Sequence, residues 1–296
     1  CFLNTIKKNS YTELWEMMQK WLTGKNIGVA ILDTGIYPHI DFDCRIRAFL
    51  DMVHGRTLPY DDNGHGTHVA GILAGSGAAL NGKYKGVAPG CDIIAVKVLD
   101  ESGNGNKEQV IEALDWIKAN RIKYNIRIIN ISVGTTQKES HRDLIYAVES
   151  AWDDGFIVVA AAGNMGPGQG SITAPGSSRK VITVGSADML VRHQGISGRG
   201  PTCDCIIKPD IVAPGNAIVS CANRSGSMPY AVKSGTSMST PMVSGGIALL
   251  LEKNPALSNL EVKKRLMETA KDLGYPHNLQ GWGLFQLEHF LYDEKI

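Results

Sequence analysis

The chain has 296 residues, 43% hydrophobic and 20% charged, with 33 Gly and 12 Pro, a composition that is globular and excludes disorder or a coiled coil. Its 30 basic and 29 acidic residues leave a net charge of +1, which offers no footprint for nucleic acid or an anionic membrane. No stretch reaches the roughly 18 apolar residues of a membrane span, and the N-terminal region lacks the charge, apolar core and cleavage pattern of a signal peptide. The length suits two domains or one α/β domain of about 250–300 residues. Six cysteines are present, at Cys1, Cys44, Cys91, Cys203, Cys205 and Cys221. A chain this long folds without staples, and Cys203 and Cys205 are too close to pair comfortably. Free thiols in a reducing, cytoplasmic compartment are therefore expected, with secretion as the alternative.

A first helix is predicted over residues 11–22, where Ser10 and Glu13 form a capping box. An apolar run over 27–32 then reads as a buried strand ending at Asp33. Strands over 93–99, 126–133, 156–162 and 181–184 follow. They alternate with helices over 65–73, 107–122 and 141–152, and helices over 237–253 and 258–270 close the chain. Continuously apolar strands imply burial on both faces, hence a parallel sheet. The alternation predicts a single doubly wound α/β domain with helices on both faces. In such a sheet, ligands bind beyond the carboxyl ends of the strands. Asp33, Gly134 and Asn164 all lie just past strand ends.

Three polar stretches carry the chemistry. The first is Asp33-Thr34-Gly35, a carboxylate at the end of a buried strand. An aspartic protease would need a second such carboxylate, and the chain has no second Asp-Thr-Gly or Asp-Ser-Gly. The second is Asn63-Gly64-His65-Gly66-Thr67-His68. Flanking glycines allow close approach to an imidazole suited to general base work. His65 and His68 could share a metal, but the Glu of a zinc-protease helix is missing. The third is Ser234-Gly235-Thr236-Ser237-Met238-Ser239-Thr240-Pro241. Pro241 suits a first helical turn. Ser237 would then be either an N-cap or a reactive serine at a positive helix end that favours an oxyanion.

Together these stretches resemble the subtilisin-like serine proteases, the subtilases, in which Asp, His and Ser follow one another in this order. Further matching stretches are Ser132-Val133-Gly134, Ala161-Ala162-Gly163-Asn164, Ser197-Gly198-Arg199-Gly200-Pro201 and Lys208-Pro209-Asp210-Ile211-Val212-Ala213-Pro214-Gly215. The resemblance runs over residues 24–283, a catalytic core preceded by a helical extension over 1–23. Residues 35–39 and 59–63 look most like intracellular bacterial subtilases.

The resemblance implies a serine endopeptidase with Ser237 as nucleophile, His65 as base and acid, Asp33 as the group that orients His65, and Asn164 as oxyanion donor. It implies a polypeptide substrate lying between Gly103, Asn104 and Gly105 on one side and Ser132, Val133 and Gly134 on the other. The pocket for the residue before the cut would be walled by the Ser132 segment and by Ala161, Ala162 and Gly163, with its far end near Ile172–Pro175, around Thr173. These stretches hold no acid, so an apolar residue is expected there. Asp61 and Asp62 could favour a basic residue one step further from the cut, or could orient the loop backbone. A cis bond is implied at Ala174-Pro175. A prodomain removed on maturation is implied as a further partner, consistent with Cys1 standing where a Met would begin the chain. No cofactor is required. The family's structural calcium would involve Asp41 and a loop after the histidine helix. The corresponding stretch, 76–85, contains Lys83 and Lys85 and no acid, which disfavours calcium. The alternatives are a pseudoprotease or regulatory protein on the same fold and, more remotely, a zinc amidase.

Overall fold

The apolar runs become strands with almost nothing facing water. The computed structural model describes residues 22–135, 138–190 and 196–292. Strand β1 (Gly28–Asp33) is buried throughout, as are β5 (Ile157–Ala161) and β6 (Ile182–Ser186). With β2 (Ile46–Asp51), β3 (Asp92–Lys97), β4 (Ile126–Ile131) and β7 (Ile211–Ala213), they form a seven-stranded sheet in the order β2-β3-β1-β4-β5-β6-β7. Every pairing in it is parallel. A separate antiparallel hairpin joins β8 (Ile218–Cys221) to β9 (Tyr230–Lys233).

The helices are α1 (His65–Ala74), α2 (Lys107–Ala119), α3 (Lys138–Asp153), α4 (Thr236–Lys253), α5 (Asn259–Thr269), α6 (His277–Gln280) and α7 (Leu287–Tyr292). Helix α1 packs on α4, and α2 on α3, so that the two pairs cover the sheet. The doubly wound single domain expected from the alternation is observed. Among the described residues, no helix is long and apolar enough to cross a membrane. The helix expected over 11–22 lies almost wholly outside the described residues.

Other differences have local causes. Strands β2 and β7 occupy the sheet edges, where β2 is half-exposed and β7 is three residues long; neither makes a long apolar run. Helix α2 stops at Ala119 rather than 122, because the Asn120 side chain turns back to donate to Trp116 O at 2.9 Å, competing with further helix. Pro241 lies at the sixth residue of α4, not in its first turn.

Sheet order sets the position of the site. Strands β3, β1, β4 and β5 are consecutive neighbours. Their carboxyl ends therefore line up the segments that begin at Val98, Asp33, Ser132 and Ala162. The N-termini of α1 and α4 bring His65 and Ser237 to this edge.

Helix α5 docks on the core through the fully buried Val262 and Leu266. Leu266→Ala is expected to cost about 2–5 kcal/mol, because the cavity it leaves only partly collapses. Urea unfolding should show a lower midpoint at unchanged slope.

Candidate active site

Asp33 ends β1 with its side chain 1% exposed. One carboxylate oxygen, Oδ1, accepts the Thr34 N–H at 2.8 Å and lies 2.6 Å from His65 Nδ1; Oδ2 is buried without a hydrogen-bond partner. This closeness requires the start of α1 to ride over the β1 turn. A Cβ at Gly66 would stand 2.2 Å from Gly35 O and 3.1 Å from Asp33 Cβ, so only glycine fits. Thr34 Oγ1 accepts the Gly66 N–H at 2.9 Å and donates to Asp61 Oδ1 at 2.9 Å. Burial drives the His65 pKa down, but the charge and hydrogen bond of Asp33 outweigh it and leave the imidazole above its usual 6.5. About a quarter of the ring, 26%, remains exposed.

Asp61 is an internal clamp. It accepts from the Asn63, Gly64 and Thr67 N–H groups and from the Thr34 and Thr67 hydroxyls, at 2.6–3.1 Å. Burial alone would raise its pKa, yet these donors hold the carboxyl below the usual range. Asp62 pairs with Lys97 Nζ at 2.7 Å. Both carboxylates hold the loop before His65, which is the backbone-orienting alternative for this pair.

Ser237 is the second residue of α4 and is 9% exposed. It is thus not the N-cap, which is Gly235. Its Oγ donates to Ser132 O at 2.9 Å rather than to His65. Its N–H belongs to the first turn, where the helix supplies no acceptor. Six residues into the helix, Pro241 has no N–H for the Ser237 carbonyl; the Ser132 hydroxyl donates to that carbonyl instead, at 3.3 Å. Ser132 Oγ accepts from Asn130 Nδ2 at 3.0 Å, and Asn130 Oδ1 accepts from the Ser244 hydroxyl at 2.8 Å. Asn164 Oδ1 accepts the Thr236 N–H at 3.0 Å and the Thr236 hydroxyl at 3.2 Å. That fixes which end of the amide is oxygen, so that Nδ2 is its donor end.

A cavity of about 680 Å³ opens beside His65. One wall carries Gly103, Asn104 and Gly105 and the other Ser132, Val133 and Gly134, with Leu99, Val110, Ile131 and Leu144 as apolar lining. Ala161, Ala162, Gly163 and Thr173 do not line this cavity. Thr173 is buried behind the wall, and its Oγ1 would lie 2.3 Å from a Cβ at Gly134 and 2.4 Å from one at Gly163. Thr135 and Ala174 exchange backbone hydrogen bonds at 2.9 and 3.1 Å beside the cis bond at Ala174-Pro175.

Asp41 accepts the Gly77 and Ala79 N–H groups at 3.0 and 2.9 Å and the Tyr230 hydroxyl at 2.8 Å. The loop turns N–H donors toward the carboxylate where a cation needs oxygen acceptors, so these residues do not fit calcium. Asp41 also lies with His39 and Cys221 in a buried group of metal-ligating types, and an exposed group is formed by His54, Asp62 and Glu101. Hydrogen bonds already occupy the Asp41 carboxylate. His68 is engaged elsewhere, its Nε2 3.1 Å from both Ile218 O and Ala231 O, with burial pushing its pKa down to about 4. It shares no metal group with His65 among the described residues.

Lys97 and Asn130 lie outside the motifs, and Thr34 lies within the first, but its bonds to Gly66 and Asp61 are not legible there. Lys97 alone left a signal, a single charge inside the apolar run 93–99.

Residues 24–283 match the subtilase family model. The serine protease AprX of Bacillus subtilis (strain 168) is 42% identical over 97% of this chain and 71% of its own length. Subtilisin Savinase of Lederbergia lenta is 39% identical over 90% of this chain and 91% of its own. Among solved structures, Sphericase superposes with a TM-score of 0.78 at 32% identity, covering 89% of this chain and 92% of its own. The ordered Asp, His and Ser motifs, the parallel sheet that gathers them and these likenesses agree: the chain belongs to the subtilase family and is a serine endopeptidase.

Proposed function

We propose that Asp33, His65 and Ser237 cut the peptide bond through an acyl-enzyme, with Asn164 and the Ser237 N–H receiving the oxyanion. The observation that carries this reading is the 2.6 Å contact of His65 Nδ1 with Asp33 Oδ1, which leaves Nε2 as the base. The Ser237 hydroxyl turns from Ser132 O to His65 and attacks the substrate carbonyl carbon as its proton passes to Nε2. The tetrahedral oxygen takes hydrogen bonds from Asn164 Nδ2 and from the N–H at the positive end of α4. As the C–N bond breaks, His65 returns the proton to the leaving amine. A water then repeats the sequence on the ester.

The substrate lies extended along the two walls, pairing as an added strand. The side chain before the cut enters between the Ser132 and Ala161 segments toward residues 172–175, a stretch without a charged side chain, of which Ala174 and Pro175 line the cavity. With no counter-charge there, an apolar residue is preferred. The proposed steps use only these side chains and backbone donors, and so call on no metal. The described cysteines Cys44, Cys91, Cys203, Cys205 and Cys221 are all free, which supports a reducing, cytoplasmic setting. The +1 net charge supports peptide rather than nucleic acid as partner.

A fluorophosphonate probe should add once to the wild type, equally with and without chelator, and not at all to Ser237→Ala, as read by intact mass. Asn164→Ala should keep the adduct but lower kcat by about 10²–10³, the range set by removing the same donor in subtilisin itself. A positional peptide library should favour medium or large apolar side chains before the cut over Arg and Lys. Because His65 must be neutral to act and its pKa is raised, kcat/KM should climb with pH through a midpoint above 6.5; a midpoint below that would contradict the Asp33 pairing.

A further inference from the structure

Three segments that build the site converge on one buried ammonium. Lys97 ends β3 and is 0% exposed. Its Nζ donates to Thr34 O at 2.7 Å, to Asp62 Oδ1 at 2.7 Å and to Leu99 O at 2.8 Å. An ammonium has three protons, and each finds one acceptor. The Tyr60 ring lies 5.1 Å away. Thr34 directly follows Asp33. Asp62 lies in the loop that ends at His65. Leu99 opens the segment leading to Gly103 and Gly105. The next residue binds the same turn, the Val98 N–H donating to Asp33 O at 2.9 Å.

Burying a lysine is costly, and replacing a buried ion pair by apolar groups is often neutral or stabilising. Stability alone is thus a poor reason for this residue at the end of a strand whose interior, 93–96, is apolar. Geometry is a better one. We propose that Lys97 is a positioning residue of the peptidase: it holds the Asp33 turn and the His65 loop in register and ties the Gly103–Gly105 wall of the cleft to both. This rests on the triad reading above.

The consequence is readable through His65. The groups facing that ring are Asp33 from β1, Asp61 from its own loop and Lys233 from β9. Loosening the 60–64 loop weakens the Asp33 contact that raises the imidazole, while burial, which lowers it, persists. The acid limb of kcat/KM then moves to lower pH as kcat falls.

The test compares Lys97→Met, Asp62→Ala and Asp62→Asn with the wild type. Active sites are titrated with the fluorophosphonate, kcat and KM are measured on a peptide anilide from pH 5 to 10, and Tm is recorded. Per titrated site, Lys97→Met and Asp62→Ala should lose about 10- to 100-fold in kcat, the scale of an ångström-sized misplacement, with the acid limb shifted down. Asp62→Asn keeps an acceptor oxygen and should recover most of both. Variants that lose only Tm, at wild-type kcat and acid limb, would overturn the proposal. If Lys97→Met does not fold, the two Asp62 variants decide in the same way. A wild type without adduct would sink the triad reading and this proposal together; a labelled wild type with unchanged variants would sink this proposal alone.

Discussion

The N-terminal end of α4 is held to the sheet by one buried line of hydrogen bonds, from the Ser244 hydroxyl through the Asn130 amide and the Ser132 hydroxyl to the Ser237 carbonyl. The line exists because Pro241 supplies no N–H to that carbonyl. An unmet carbonyl in the interior would be expensive, so the strand answers it with a side-chain donor. Asn130, Ser132 and Ser244 are all buried, and in a low-dielectric interior a fully satisfied network specifies one arrangement. Ser237 and the Ser132–Gly134 side of the cavity are thereby tied to the end of the same strand. What looks like a helix defect sets the distance between Ser237 and the peptide edge.

Around this anchor the protein manages buried charge by giving each group its own partners. Asp33 serves His65, Asp61 takes backbone and hydroxyl donors of the turn before α1, Asp62 faces Lys97, and Asp41 collects amides of the 77–79 loop. The four carboxylates thus have separate assignments, and of them Asp33 alone pairs with the His65 ring. The same division accounts for the raised His65 and the lowered Asp61. In both, burial opposes the charged form and local partners override it.

Much of the fold could be read along the chain. The runs 27–32, 126–133 and 156–162 are apolar enough to require burial on both faces, and they became β1, β4 and β5 within a residue or two. The edge strands β2 and β7 could not be read this way, because a half-exposed or three-residue strand has no periodic signature. The end of α2 was missed because a single side chain, Asn120, decides it. Thr173 packs closely against Gly134 and Gly163, a contact that joins three separate stretches and that none of them shows alone.

The sequence by itself determined the motifs that carry the proposed reactive groups and the edge on which they gather. Residue type and the periods of strand and helix are local properties, and strand ends in a parallel sheet share one side. Tertiary structure alone decided which groups pair. Thr34 meets Asp61 across 27 positions, Lys97 meets Asp62 across 35, and Ser132 meets Ser237 across 105. Such contacts depend on sheet order and on the seating of α4, and neither is encoded within any short window. Hence the sequence could name Asp33, His65 and Ser237, while Lys97 and Asn130 emerged only once the strands lay side by side.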